Sequence, residues 1–329
     1  MKALVYVNER ELEYKDVKEP EVKENDILIK IESVGICGSD MHAFLGHDDR
    51  RPAPLILGHE AAGKIVSGKN KGKRVTVNPL VSCDNCSACK KGRNNICPNR
   101  QLVSIPPRQG AFAEFLVIPE SNSLIVPENV DINQAALTEP LACGWHAVKL
   151  GTRSLDCALS DASCLIIGGG AIGVGVNLAL RAKGATNVTI VDNNPLRYEM
   201  LLKNFSSDTL IKSDLNLDFK FDFIIDAVGY SKTREEACAL CSPGGVIAHI
   251  GLGDGIGGLD VRRMTLQEIT FIGTYTYTPE DFKETAQAIF NSQMGDFGWI
   301  ETRALEHGQH AFNDILEGGV SASKIVLHP

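Results

Sequence analysis

The sequence has no long run of lysine and arginine: 33 basic residues stand against 41 acidic ones, for a formal net charge of -8 and a pI near 5.5. A protein that grips a phosphate backbone concentrates positive charge on one face, so no nucleic-acid partner is expected. The N-terminus lacks an uninterrupted apolar stretch; residues 1–16 alternate apolar and charged side chains. No secretory signal is therefore expected, and a cytoplasmic location is the expectation. Residues 162–180 carry no charge and are long enough to cross a bilayer. Their glycine density and the strand patterns on either side read instead as a buried strand, turn and helix, so no membrane partner is expected. Internal repeats and low-complexity segments are also missing. What remains is a globular balance, 43% hydrophobic and 22% charged over 329 residues. One hydrophobic core rarely organises a chain of that length, which predicts two domains.

The texture changes once along the chain. Roughly the first 145 residues read as short β-rich segments, for example 2–7, 27–33, 73–78 and 112–118, broken by Gly, Pro and Asn. From about Val148 strands alternate with helices. Strands are predicted over 164–167, 188–192, 221–227, 246–250 and 269–273, and helices over 171–183, 196–205 and 233–240. That alternation predicts a parallel sheet with helices on both faces. The tail carries a helix-like 281–291 and ends in a strand-like 323–327, which can return to the first domain.

Strand 164–167 runs straight into Gly168-Gly169-Gly170-Ala171-Ile172-Gly173 and then a helix. Gly168, Gly170 and Gly173 fit G-x-G-x-x-G in the setting the motif needs. The first glycine permits a tight turn, the second lets backbone approach a pyrophosphate, and the third lets the helix pack on the sheet. Glycine runs alone are common in unrelated turns. Here the second strand ends at Asp192, where a carboxylate accepts hydrogen bonds from ribose hydroxyls and repels a 2′-phosphate. NAD is favoured over NADP, with Arg197 nearby either softening that preference or serving as a solvated helix residue. Ala171, Ile172, Gly251 and Thr274 are grouped with the same cofactor site.

Four of the ten cysteines, Cys83, Cys86, Cys89 and Cys97, crowd one short segment. In a cytosolic chain such spacing suits a closed tetrahedral zinc site with a structural role. A redox pair and an iron–sulfur cluster are the alternatives; the aromatic or Pro context of a redox turn is missing. The other six read as small buried hydrophobes.

Three separated fragments fit packing poorly: Gly35-Ile36-Cys37-Gly38-Ser39-Asp40-Met41-His42, Gly58-His59-Glu60 and Thr138-Glu139-Pro140-Leu141. Cys37 and His59 suit zinc, and a carboxylate can complete a set that leaves one position open. Taken singly, a cysteine is usually core filler and a histidine simply hydrogen-bonded. With the cysteine lobe and the glycine motif, in this order along nearly the whole chain, the sequence resembles the zinc-containing medium-chain dehydrogenases, within them the polyol (sorbitol, L-iditol) dehydrogenase branch. The resemblance implies an α/β protein: a GroES-like β-rich catalytic domain over 1–147 and 280–329, with the zinc lobe at about 80–100, and a doubly wound Rossmann NAD-binding domain over 148–279.

The resemblance also implies a catalytic zinc held by Cys37, His59 and a glutamate, Glu60 or Glu139, with Cys143 as a lesser alternative. The implied chemistry is zinc acting as a Lewis acid on a small-molecule alcohol, with hydride passing to NAD. Ser39 and His42 fall at proton-relay positions, and Asp40 orients a metal ligand; a plain helix N-cap at Ser39-Asp40 fits too. A homodimer or homotetramer is the expected assembly. Some residues depart from the branch. The chain is short for it, the 67–74 connection is trimmed, and Thr276 stands where a sorbitol-dehydrogenase arginine lines the site. Arg108 is either an anion hook for a charged substrate or a surface residue. Phe44, Phe115 and Trp145 are candidate pocket walls or core. Two rivals remain, a zinc-free quinone or enoyl reductase of the same superfamily and a non-catalytic zinc- and nucleotide-binding protein.

Overall fold

Strand Asp26–Gly35 carries Ile27, Ile29 and Ile31 on one buried face, the period-two alternation of a half-buried strand. In the computed structural model, which describes residues 1–205, 208–211, 215, 216 and 218–329, it is the centre of the first of two compact units. That unit comprises residues 1–139, 278–292 and 300–329. Its larger sheet runs Ser123–Ile125, Arg74–Val77, Glu60–Ser67, Asp26–Gly35, Lys324–His328 and Ile300–Ala304, with Phe115–Pro119 also paired to Asp26–Gly35. A smaller sheet joins Glu11–Asp16, Lys2–Asn8 and Leu55–Ile56. Between them lies an apolar core in which Phe312 meets Phe44 and Phe112 at ring-centroid distances of 5.1 and 6.0 Å. Phe44 therefore packs in the core. The final strand returns, as read from the sequence, and pairs antiparallel with Asp26–Gly35 through Val326↔Gly35 and Leu327↔Val34.

Register positions the chemistry here. Gly35 faces Glu60 across the antiparallel pair, so the turn leaving one strand and the residues entering the other arrive at the same sheet end.

The second unit comprises residues 140–277 and 293–299. Its six strands are all parallel, in the order Asp208–Ile211, Asn187–Asp192, Ser163–Ile167, Phe221–Asp226, Cys241–His249 and Thr270–Gly273. Residues 162–180 form the strand, the glycine turn and most of the helix Ala171–Ala182. Among the described residues no helix is long and apolar enough to cross a membrane.

Helix Thr138–Thr152 was not legible as one element, because its first turn reads as a site fragment and its centre is apolar on every side. The division between the units falls inside it, after Glu139, earlier than the change of texture at Val148.

Candidate active site

Cys37 ends the turn after strand Asp26–Gly35 and caps helix Gly38–Phe44. Ser39 and Asp40 are not the cap; they occupy the second and third helical positions. An acid at the third position satisfies the cap's own N–H, and the Asp40 carboxylate accepts the Cys37 N–H at 3.0 Å. It also accepts the Gly58 N–H at 3.1 Å and lies 3.5 Å from Nδ1 of His59. One buried carboxylate thus ties together the two loops that carry Cys37 and His59. Burial alone would raise the Asp40 pKa; the His59 and Arg51 charges and the Cys37 N–H outweigh it and hold the group ionised. Arg51 is itself buried, donating Nε to the Ser104 carbonyl at 3.0 Å and pairing with Asp48 at 2.5 Å. Ser104 in turn sets its hydroxyl 3.5 Å from His59 Nδ1.

Ligand atoms of Cys37, His59 and Glu60 all lie within 4.8 Å of one another. Burial works against a charged His59, yet the Asp40 and Cys37 charges prevail and raise its pKa well above the usual value. A site that draws in a proton this strongly also suits a metal cation. Glu60 is fully buried; its Oε1 accepts from Lys324 Nζ at 2.6 Å, while Oε2 has no hydrogen-bond partner. An orphaned buried carboxylate oxygen is costly, and a cation shared with Cys37 and His59 relieves it. The trio fits a metal ion. Gly35 makes room for it, since a Cβ there would collide with Glu60 Oε2. Glu139 is buried at the start of helix Thr138–Thr152, near enough to Lys324 for its charge to raise the lysine's pKa.

Lys324 was missed in the sequence. It is buried and donates Nζ to the Ile36 carbonyl at 2.7 Å as well as to Glu60. The only sequence clue is a lysine inside an apolar closing strand, where a charge needs a partner.

The cysteine lobe is compact. Cys86 and Cys89 Sγ are 3.4 Å apart, Cys83 and Cys97 3.4 Å, and Cys86 and Cys97 3.9 Å. These spacings are far beyond a disulfide bond and close to the ~3.8 Å edge of a tetrahedron with Zn–S distances of about 2.3 Å. Backbone N–H groups of Asn85 and Cys86 lower the Cys83 pKa to about 6, while burial and the neighbouring sulfurs push Cys89 up to about 12, so the crowded thiols share protons until a cation replaces them.

In the second unit Gly168 has φ +98°, open to glycine and strained for other residues. A Cβ on Gly173 would collide with the Gly168 carbonyl, while none of the surrounding atoms approaches where a Gly170 Cβ would sit. That open cradle at a helix N-terminus suits a pyrophosphate. Asp192 accepts the Gly169 N–H at 2.7 Å and the Asn194 N–H at 2.8 Å, and Arg197 reaches it at 3.3 Å. Ala171 and Ile172 begin the helix, Gly251 packs its backbone on Val228 and Gly229, and Thr274 donates to the His249 carbonyl.

Arg108 and Phe115 line a cavity of about 560 Å³ together with Val5, Val17, Leu55 and Leu116. None of Cys37, His59 and Glu60 lines this cavity, and Arg108 donates Nε to Gln101. Trp145 is buried, with Lys183 Nζ 3.7 Å from its ring centroid. Thr276 adopts φ +46°, and its hydroxyl is buried without a partner.

Residues 23–128 match the family of the alcohol dehydrogenase GroES-like domain, and residues 171–291 the zinc-binding dehydrogenase family. The chain is 32% identical to the L-galactonate-5-dehydrogenase of Escherichia coli (strain K12), over 89% of this chain and 88% of the relative. It is 30% identical to the sorbitol dehydrogenase of Bacillus subtilis (strain 168), over 100% and 97%. In fold it is similar to an E. coli CFT073 alcohol dehydrogenase solved with NADH, with a TM-score of 0.91 at 24% identity, covering 100% of this chain and 99% of that one.

Proposed function

The chain belongs to the zinc-dependent medium-chain dehydrogenase family, in its polyol dehydrogenase-like branch, and from that premise we propose that it oxidises a secondary alcohol of a polyol or related hydroxy compound to a ketone. It is an alcohol oxidoreductase. Zinc and NAD(H) are its cofactors. The observation that carries the reading is the buried Cys37–His59–Glu60 cluster with an orphaned carboxylate oxygen.

When bound, zinc supplies a Lewis acid that polarises the substrate hydroxyl, and NAD supplies the hydride acceptor. Cys37 and His59 hold the metal, with Glu60 as the nearby carboxylate. Asp40 engages His59 Nδ1, which leaves Nε2 for the metal. Ser39 and His42 stand three residues apart on one face of helix Gly38–Phe44. They carry the substrate's proton outward to His42, which is exposed. Cys83, Cys86, Cys89 and Cys97 hold a second, structural zinc. In the other unit Gly168, Gly170 and Gly173 cradle the pyrophosphate, and Asp192 takes the adenosine ribose hydroxyls. The relatives' names, a sorbitol and an L-galactonate dehydrogenase, favour a polyhydroxylated substrate, and the expected assembly is a homodimer or homotetramer.

The test is a panel assay of nicotinamide reduction with polyols, hydroxy acids and sugar phosphates, run beside metal analysis. About two zinc ions per chain and NADH formation with polyols are expected from one closed four-cysteine site and one three-ligand site with an open position. Turnover without zinc sinks the reading, and a preference for NADP overturns the role given to Asp192.

A further inference from the structure

Ile167, Asp226, His249 and Gly273 are each the last residue of their strands. Register sets all four in one row across the second unit's sheet. Ligands of open parallel sheets lie across such carboxyl ends, where the strand order reverses. Here the reversal lies between Ser163–Ile167 and Phe221–Asp226. Asp192 lies to one side of it and His249 to the other, two strands or about 10 Å from the glycine turn. With the adenosine ribose at Asp192, the nicotinamide half extends toward His249.

The imidazole is approached from two sides, and its backbone carbonyl is held from a third. Nδ1 is 3.2 Å from Asp226 Oδ2, the ring packs on Phe271 at a centroid distance of 5.5 Å, and Thr274 donates both N–H and hydroxyl to the His249 carbonyl at 2.9 and 3.2 Å. Asp226 is fully buried and also accepts the N–H groups of Val228 and Gly229 at 3.0 and 2.9 Å and the Thr233 hydroxyl at 2.9 Å. The Asp226 charge 3.2 Å away, at ion-pair distance and outside hydrogen-bond geometry, favours the tautomer with its proton on Nδ1, which leaves Nε2 with an open lone pair. Nδ1 is itself buried, so the 17% of the side chain still exposed belongs to the rest of the ring. Ile247 and Phe271 share this face of the sheet, where an aliphatic strand end would pack at lower cost than a histidine.

We infer that His249 is a cofactor-contacting residue: Nε2 accepts a hydrogen bond from a hydroxyl of the nicotinamide ribose, and Asp226 is the positioning residue that sets the tautomer. This rests on the dinucleotide role proposed for the second unit. Titration calorimetry with NADH and with ADP, which lacks the nicotinamide half, on the wild type, His249→Leu and His249→Gln separates the two. His249→Leu weakens NADH about tenfold, the effect of one lost hydrogen bond, leaves ADP unchanged, and is partly rescued in His249→Gln, whose amide restores an acceptor. Unchanged NADH affinity in His249→Leu overturns the inference. An equal loss for NADH and ADP overturns it too, because the histidine then only supports the sheet end. Wild-type protein that binds neither ligand defeats the dinucleotide reading itself.

Discussion

Lys324 and Glu60 are 264 residues apart in sequence, yet their charged atoms meet at 2.6 Å with both side chains buried. Removing one partner of a buried pair leaves the other charge uncompensated, at a cost of about 3–5 kcal/mol. Lys324→Met is therefore expected to lower stability by that amount in denaturant titration, and Lys324→Arg by clearly less. An unchanged midpoint for Lys324→Met means the buried pair does not contribute to stability. Asp226 gives a second test at this scale. Burial pushes its pKa up, but His249, Gly229, Thr233 and Val228 together hold it below the ordinary value. A depressed carboxyl contributes stability in full above its unfolded pKa of about 3.9 and loses it as pH falls through the lower folded value. The stability gap between wild type and Asp226→Asn should be full at neutral pH and shrink below about pH 4; a gap that widens in acid contradicts this.

At the scale of elements, the cysteine lobe has little structure of its own beyond the two-residue strand pair Leu80–Val81 and Gln101–Leu102 at its base, the one-turn helix Ser87–Lys90 and a short 3-10 turn, Asn94–Ile96. Such a segment draws its order from its metal, whose binding energy becomes folding energy. Cys97→Ser is expected to remove about one zinc per chain and lower the melting temperature by several degrees, with zinc still bound at Cys37 and His59. Full zinc content in this variant points to a different ligand set. The strands around Ile27, Ile167 and Asp192 were legible because alternation or a short apolar run ending in glycine or an acid has few other readings. Helix Gly308–Glu317 and strand Glu60–Ser67 were not: the helix buries only Gly308, Ala311 and Phe312, and the strand's Glu60-Ala-Ala-Gly start carries no β-branched pattern.

Taken as a whole molecule, the chain divides its chemistry between two units, each with a core of its own. The metal trio lies within the first and the glycine cradle within the second. Cys37→Ala should therefore abolish turnover and lower zinc to about one per chain while leaving NADH affinity within about twofold, well under the 1.4 kcal/mol of a tenfold change. Full turnover by this variant would remove the metal centre from the mechanism. A large loss of NADH binding would show instead that the two units do not bind independently.

The sequence by itself determined the metal-binding residue types, the cysteine spacing, the glycine turn with Asp192 and the split into a β-rich part and a parallel α/β part. Each depends on local spacing or on residues whose chemistry admits few other uses. Tertiary structure alone decided that Glu60 comes together with Cys37 and His59, that Lys324 neutralises it from the far end of the chain, and that Arg108 and Phe115 line one cavity with Val5 and Leu55. Those outcomes follow from strand register and burial, which bring together side chains with no relation in sequence.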